Sequence, residues 1–273
     1  MKTAMINGID IAYRDEGTGS PMLLIHAFPL HSAIWELQIA AFSPHHRVIA
    51  PDLRGLGASA RGSGAASLDQ HADDLAALLD HLGIENATVV GLSLGGYISF
   101  ALWRRHRERV AALILADTRA GADSEEGKQG REKNAQLTEE HGPGAIADQM
   151  LPKLLSPNAP AALREQVRAI IESNDRAGIA AALRAMAARP DSTLLLATID
   201  VPTLVIVGAE DALTPPSESE AMFNAIPGCR IAVLPGAGHL SNLEAHEAFN
   251  AQVAEFLTPR QTFGIGGGGG GKW

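Results

Sequence analysis

A serine between two glycines, at the junction of a strand and a helix, is the feature that most constrains this fold. Residues 87–103 read ATVVGLSLGGYISFALW, an apolar β-branched run before Ser93 and a helix-like run after it. Glycine is unfavourable inside regular elements, so Gly91 and Gly95 indicate a sharp turn where larger side chains would collide. A glycine-rich turn can also hold a merely solvent-facing serine, but here both the strand and the helix that flank a strained nucleophile turn are present.

Strand and helix signals alternate around this turn. The chain begins with two alternating apolar and polar runs joined by Asn7-Gly8, which predicts a β-hairpin. Short apolar runs typical of fully buried strands then alternate with runs of helical period. The predicted strands are 22–27, 47–52, 87–93 and 110–117, and the predicted helices are 34–42, 68–82 and 94–106. This order predicts an α/β fold with a mostly parallel sheet that has helices on both faces.

The pattern changes after residue 117. Residues 118–197 contain alanine-rich helical segments and no convincing strand, whereas strand and loop signals return in VPTLVIVGAED and CRIAVLPGAGH. We therefore predict a core made of residues 1–117 and 198–260, with a helical cap at 118–197 inserted before the last two strands. The glycine-rich end, 261–273, is expected to be a flexible tail outside the fold.

A serine hydroxyl is a weak nucleophile that needs a histidine base held by a carboxylate. Asp211 follows the predicted strand TLVIVG, and His239 follows the predicted strand RIAVL, each in a loop. Both therefore fall at the carboxyl edge of the sheet, where Ser93 is expected, and in the chain order Ser, Asp, His. Asp117 also ends a strand and is the competing acid. The sequence predicts Ser93, Asp211 and His239 as the catalytic residues.

Attack on a carbonyl also requires donors for the developing oxyanion. The backbone N–H of Leu94, directly after the serine, is one candidate, and the N–H of Phe28, after the strand MLLIHA, is the other. His26 ends that strand and is expected to orient its loop by hydrogen bonding. Three other histidines fall on predicted helices and are expected to face solvent: His71, His81 and His106.

Composition narrows the classes of function. The 273 residues carry a formal net charge of −9 at pH 7, which argues against nucleic acid as a partner. The single cysteine, Cys229, excludes an internal disulfide and fits a reducing compartment. Polar residues interrupt any signal-peptide core near the start, and no apolar run approaches the roughly 18 residues that span a membrane. We expect a cytoplasmic protein without membrane association. The sequence leaves open whether it forms a homo-oligomer.

Five segments together resemble the α/β-hydrolase superfamily in its own order: HAFPL, DLRGLGAS, GLSLGG, VGAEDALTP and PGAGH. The resemblance covers nearly all of the chain except the tail and implies the α/β-hydrolase fold. Within the superfamily, the sequence is similar to compact carboxylesterases, lactonases and cofactor-free perhydrolases with a helical cap. One departure is His26-Ala27, where the family usually has His-Gly, which predicts a slightly displaced oxyanion loop. Ser93 separates the chain from relatives that use an aspartate nucleophile.

These observations predict a serine hydrolase that cleaves small-molecule carboxylic esters, including lactones such as acyl-homoserine lactones. The helices of the cap suggest a modest hydrophobic pocket. No residues have the spacing of a zinc site, so neither a metal nor another cofactor is expected. Two alternatives stay open: a perhydrolase or C–C bond hydrolase that uses the same three residues, and a hydrolase-like ligand receptor.

Overall fold

An eight-stranded sheet forms the centre of the computed structural model, which describes residues 1–63 and 66–258. Its strands, β1 to β8 in chain order, are Lys2–Ile6, Ile9–Glu16, Ser20–Ile25, His46–Pro51, Ala87–Leu92, Val110–Ala116, Thr203–Gly208 and Arg230–Leu234. The order across the sheet is β1-β2-β4-β3-β5-β6-β7-β8. β2 is antiparallel to both of its neighbours, and all other pairs are parallel. The predicted hairpin and the mostly parallel sheet are confirmed.

Ten α-helices connect and cover these strands within the described residues. They are α1 to α10 in chain order: Glu36–Phe42, Leu68–His81, Leu94–His106, Glu125–His141, Pro143–Leu154, Ala161–Glu172, Arg176–Ala187, Pro216–Ala225, Ser241–Glu244 and His246–Leu257. Every residue of β7 is buried, and β5 is buried apart from one half-exposed threonine. Central strands can be buried on both sides only when helices cover both faces of the sheet. The helix α2 packs on α3, and α1 packs on α10.

The strand order reverses direction at β3. The chain passes from β3 outward to β4 and then returns to place β5 on the other side of β3. Loops that leave neighbouring strands in opposite directions open a crevice at the carboxyl edge, where ligands bind in sheets of this kind. The loop after β3 carries Phe28 and the turn after β5 carries Ser93, so both candidates lie at this crevice.

Four helices, α4 to α7, lie between β6 and β7, where the sequence predicts helices and no strand. They form a packed group in which α4 contacts α7 and α5, and α5 contacts α6. Ser124 begins α4 and Asp175 begins α7, and each side chain accepts hydrogen bonds from backbone N–H groups of its first turn. We call α4–α7 the inserted helices. Whether they form a unit separate from the core stays a prediction.

None of the helices described here combines the length and the apolar character that crossing a membrane requires. The predicted flexible tail, 261–273, lies outside the described residues.

Candidate active site

Ser93 lies in a strained turn between β5 and α3. Its backbone has φ 56° and ψ −109°, a conformation that is costly for a residue with a side chain. Its N–H donates to the carbonyl of Ala116 on the adjacent strand at 2.9 Å, and its own carbonyl accepts a hydrogen bond from Thr118 Oγ1 at 2.8 Å. These contacts with the neighbouring strand end offset the strain and fix the position of the serine side chain.

Two glycines make this turn sterically feasible. A Cβ atom at Gly95 would lie 2.1 Å from the carbonyl oxygen of Ile25 on β3, and one at Gly91 would lie 2.4 Å from the carbonyl oxygen of Gly95. Neither distance is compatible with a real side chain. The spacing of glycines around Ser93 therefore has the steric cause that the sequence predicts.

A hydrogen-bonded chain connects Ser93 to His239 and His239 to Asp211. His239 Nε2 is 2.8 Å from Ser93 Oγ, and His239 Nδ1 is 2.8 Å from Asp211 Oδ2. All three residues are buried. Asp211 is held in turn by Thr214, whose hydroxyl donates to Oδ2 at 2.7 Å and whose N–H donates to Oδ1 at 3.0 Å. The structure thus brings together the three residues that the sequence singles out.

The charges in this chain favour one protonation pattern. Although burial lowers the pKa of His239, the hydrogen bond from its ring to Asp211 and the negative charge of that carboxylate raise it above the usual histidine value. Although burial also disfavours an ionised carboxylate, hydrogen bonds from His239 and Thr214 hold the pKa of Asp211 below its usual range. An ionised Asp211 beside a titratable histidine is the arrangement that a general base requires.

Asp117, the competing acid, is fully buried but has other partners. Its Oδ1 accepts the N–H of Gly208 at 2.8 Å, and its Oδ2 accepts the hydroxyl of Ser241. Burial, together with the nearby charge of Asp211, raises the pKa of Asp117 to about 7. Asp117 therefore connects β6, β7 and α9 and has no hydrogen bond to His239.

The two candidate oxyanion donors lie on either side of the crevice between β3 and β5. Among the described residues, neither the N–H of Phe28 nor that of Leu94 donates to another group. His26 orients the Phe28 loop: its Nδ1 is 3.0 Å from the Ala27 carbonyl, and its Nε2 accepts the N–H of Leu53 at 3.0 Å. Burial lowers the pKa of His26 to about 4, consistent with a neutral ring. The expected orienting role of His26 is confirmed.

A cavity opens above Ser93 and His239. Its volume is about 100 Å³. Apart from Ser93 and His239, its lining consists of Phe28, Tyr97, Arg119, Arg131, Met150, Met186, Leu213 and Thr214. Arg131, Met150 and Met186 belong to the inserted helices, which therefore form part of the cavity wall. The lining is mainly apolar and aromatic, in agreement with the hydrophobic pocket expected from the sequence, but it also contains two arginines.

Asn174, in the short connection between α6 and α7, joins the inserted helices to the loop that carries Phe28. Its Nδ2 donates to the Pro29 carbonyl at 3.1 Å, and its Oδ1 accepts the N–H of Gly57 at 2.6 Å. Next to it, Gly178 contacts Gly55 so closely that a Cβ atom at Gly178 would lie 1.7 Å from the Gly55 carbonyl oxygen. The inserted helices are thus fixed to the loops at the carboxyl edge of the sheet.

One of the histidines on helices differs from expectation. His71 is buried rather than solvated, and neither of its ring nitrogens has a hydrogen-bond partner among the described residues. Burial lowers its pKa to about 3, so its ring is neutral. His71 is buried because the period of the helix places it on the apolar side of α2, beside Ala72 and Leu75.

Sequence reasoning missed Thr214, Arg119 and Arg131. Thr214 lies three residues after Asp211, and a hydroxyl at that spacing can bond the carboxylate, so the sequence does contain a signal for it. The two arginines lie close in sequence to Asp123, which both contact, but no local pattern indicates that they also line the cavity. In the described part of the chain, no group of three or more His, Cys, Asp or Glu side chains could hold a metal ion.

Comparison with known proteins supports the fold described above. Residues 20–246 match the sequence profile of the family described as alpha/beta hydrolase fold. The chain is 35% identical over 228 residues to the 3-oxoadipate enol-lactonase 2 of Acinetobacter baylyi, covering 81% of this chain and 82% of that protein. It superimposes on a malate-bound thermophilic esterase from Thermogutta terrifontis with a TM-score of 0.91 and 43% identity, covering 94% and 98% of the two chains. It superimposes on the enol-lactonase from Burkholderia xenovorans LB400 with a TM-score of 0.88 and 31% identity, covering 94% of this chain and 100% of that chain.

Proposed function

This chain belongs to the alpha/beta hydrolase fold family, and from that membership we propose that it is a serine hydrolase that cleaves small-molecule carboxylic esters, lactones included, through an acyl-enzyme. The observation that carries the proposal is the hydrogen-bonded chain from Ser93 through His239 to Asp211 at the base of a cavity. The esterase and the enol-lactonases among its similar proteins act on the same functional group, an ester carbonyl in an open chain or in a ring.

In the proposed mechanism, His239 Nε2 takes the proton from Ser93 Oγ as the oxygen attacks the ester carbonyl. Asp211 keeps the Nδ1 proton of His239 in place and stabilises the imidazolium that forms. The N–H groups of Phe28 and Leu94 hold the oxyanion, each contributing roughly 3 kcal/mol by comparison with other acyl-transfer enzymes. His239 then gives its proton to the leaving alcohol, and in the second half-reaction it activates the water that releases the acid.

We further propose that residues 118–197 form a cap that restricts access to Ser93. Side chains from α4, α5 and α7 line the cavity, so a substrate has to contact them before it reaches the serine. In a lactone, the leaving alcohol stays attached to the acyl group, so the same cavity has to hold both. A perhydrolase or a C–C bond hydrolase would use the same three residues, and no feature of the cavity favours either over ester cleavage.

Ser93→Ala, with Ser219→Ala as the matched control, tests the proposal. Ser219 is a fully buried serine on α8, outside the cavity, and its hydroxyl has no hydrogen-bond partner in the described part of the chain. We expect the wild type and Ser219→Ala to give burst release of p-nitrophenol followed by steady turnover, and Ser93→Ala to lose turnover by several orders of magnitude.

Thermal unfolding of the three proteins checks that the fold is intact. A Ser93→Ala variant that keeps more than a few per cent of the activity would exclude Ser93 as the nucleophile. A burst without steady turnover would identify a ligand receptor rather than an enzyme. A panel of p-nitrophenyl esters and lactones, assayed on the wild type, then ranks the two substrate types.

A further inference from the structure

Two guanidinium groups lie in the wall of the cavity that holds Ser93 and His239. Arg119 follows β6, and Arg131 lies on α4. Binding pockets for neutral esters are lined mainly by apolar and aromatic side chains, with a few polar groups placed for recognition. No carboxylate lies among the residues that line this cavity. Its lining therefore carries two permanent positive charges in addition to the titratable His239.

These arginines share one carboxylate with a third. Arg119 Nη2 is 2.7 Å from Asp123 Oδ1, Arg131 donates to the same carboxylate through Nε, and Arg189 Nη2 lies 2.9 Å from Asp123 Oδ1. Asp123 is buried, and although burial disfavours its ionised form, hydrogen bonds from Arg131 and Arg189 hold its pKa well below the usual range. Three positive charges thus surround one negative charge.

Glu218 on α8 is a second acidic group that acts on Arg119. Although burial lowers the pKa of Arg119, the nearby Tyr97, Asp123 and Glu218 raise it above the usual value. Asp123 and Glu218 together offset two of the three guanidinium charges, and the ionised Asp211 is already paired with His239. A buried or half-buried excess charge is unfavourable unless a counter-charge is supplied.

Arg119 and Arg131 also have donors that lack good acceptors. Arg119 Nε is buried and has no partner among the described residues, and Arg131 Nη1 contacts only the thioether of Met186, a weak acceptor, at 3.4 Å. Arg189 Nε also lacks a partner among the described residues, but Arg189 does not line this cavity, and its other nitrogens donate to the carbonyls of Met186 and Gly121. Two guanidinium groups with free donor capacity, side by side at one cavity, form a site for a carboxylate.

We infer that the substrate of this chain is an ester or lactone that carries a second, free carboxylate, which binds Arg119 and Arg131 while the reacting carbonyl lies at Ser93. The inference rests on the proposed function and names the substrate class of the same site. The carboxylate supplies the missing negative charge and accepts the N–H groups that Asp123 leaves without a partner. A dicarboxylic acid half-ester, or a lactone with a carboxylate substituent, has this chemistry.

Matched pairs of esters that differ only in charge test the inference. The monophenyl esters of succinic, glutaric and adipic acid carry a free carboxylate, and the corresponding methyl phenyl diesters do not. Both release phenol, so the ratio of kcat/KM within a pair measures recognition of the carboxylate, after spontaneous hydrolysis is subtracted. We expect the wild type to favour the monophenyl ester at one or more chain lengths, and salt to reduce this preference.

Substitutions at the two arginines then separate recognition from structure. Arg119→Gln and Arg131→Gln should each lower the ratio roughly 10- to 100-fold, as expected for loss of a charged hydrogen-bond partner. Arg119→Lys keeps the charge and should retain more of the preference than Arg119→Gln. Arg168→Gln is the matched control, because Arg168 lies on α6, outside the cavity, and pairs with Asp148 and Glu172; it should leave the ratio unchanged.

The outcomes distinguish this inference from the proposed function. A wild type that cleaves neither ester contradicts the proposed function, and the inference with it. A wild type that cleaves both but never favours the monophenyl ester overturns the inference alone. Equal losses on both esters in the Gln variants overturn it as well, since they show that the arginines only hold Asp123 in place. If a Gln variant fails to unfold cooperatively, the wild-type ratio and its salt dependence decide.

Discussion

Asp117 and Asp211 lie beyond the ends of two neighbouring parallel strands, β6 and β7, yet only Asp211 contacts His239. Asp211 Oδ2 is 2.8 Å from His239 Nδ1, whereas Asp117 binds the N–H of Gly208 and the hydroxyl of Ser241. The two carboxyl groups are close enough that the charge of Asp211 raises the pKa of Asp117. One acid is thus placed for the histidine, while the other holds the loops around it.

This division of roles predicts unequal effects of removing the two charges. Asp211→Asn should lower kcat by roughly 10⁴, because an amide at that position favours the wrong tautomer of His239. Asp117→Asn should lower kcat far less. Asp117 holds the neighbouring loops by hydrogen bonds, and it acts on His239 only through its charge. Steady-state kinetics on one p-nitrophenyl ester compare the two variants, and a larger loss at Asp117 would reverse the assignment.

The buried Asp117 should also make stability depend on pH. Its pKa is about 7 in the folded protein and 3.8 in the reference state, so the folded protein binds more protons between these values. Stability therefore falls as pH rises from about 4 to 7, by an amount on the order of 4 kcal/mol for this group. In urea unfolding, the free energy of unfolding of Asp117→Asn minus that of the wild type should increase as the pH rises from 4 to 8. A constant difference between the two proteins would show that Asp117 does not titrate in this range.

The pH dependence of activity should follow the deprotonation of His239. Asp211 and Asp117 favour its charged form, whereas burial and the positive charge of Arg119 oppose it, with a net rise in the pKa of His239. Activity should therefore rise with pH through a midpoint above the usual value of about 6.5. Asp117→Asn removes one of the negative charges and should move the midpoint to lower pH. A kcat/KM profile between pH 5 and 9 checks both statements, and a midpoint that the substitution leaves in place would contradict the second.

Two apolar residues of α5 and the residue that follows this helix should fall into two groups, one that shapes the cavity and one that stabilises the core. Met150 lines the cavity, whereas Leu154 and Leu155 are buried in the hydrophobic core. Met150→Ala should raise the ratio of activity on long acyl esters to activity on short ones, because it enlarges the pocket. Leu154→Ala should lower the free energy of unfolding by about 2–5 kcal/mol and leave this ratio unchanged. If Met150→Ala only destabilises the protein, the inserted helices do not select chain length.

Chelation should leave activity unchanged, because the proposed chemistry uses only Ser93, His239 and Asp211. Dialysis against EDTA, followed by assay on one ester and one lactone, tests this for both substrate types. Since some lactonases depend on metals, the lactone assay is the more demanding of the two. Loss of either activity, with recovery on addition of zinc, would show that Ser93 is not the nucleophile for that reaction.

The sequence was sufficient for the sheet and for the chain from Ser93 to Asp211 because their signals are local. Buried strands have continuous apolar runs, and the residue that follows a parallel strand falls at a known edge of the sheet. The turn at Ser93 is specified by its own glycines, whose Cβ atoms would collide with the backbone. Each of these features depends on a few neighbouring residues.

The cavity could not be predicted in the same way. Arg119 and Arg131 lie close to Asp123 in the sequence, but the cavity that they line is completed by side chains from α3, α5 and α7. Contacts between elements distant in sequence therefore decide the shape of the cavity. His71 is a different case, because the period of α2 places it on the apolar side of the helix, so the sequence did contain a signal for its burial.

The contacts of Asn174 have a consequence for evolution and engineering. One amide joins the connection between α6 and α7 to the carbonyl of Pro29, directly after the candidate oxyanion donor Phe28. If the inserted helices select the substrate as proposed, this contact joins their position to that of the loop that carries Phe28. We expect a chimaera that replaces residues 118–197 with those of a relative to displace the loop after β3 as well, unless the transplanted segment supplies an amide at the position of Asn174.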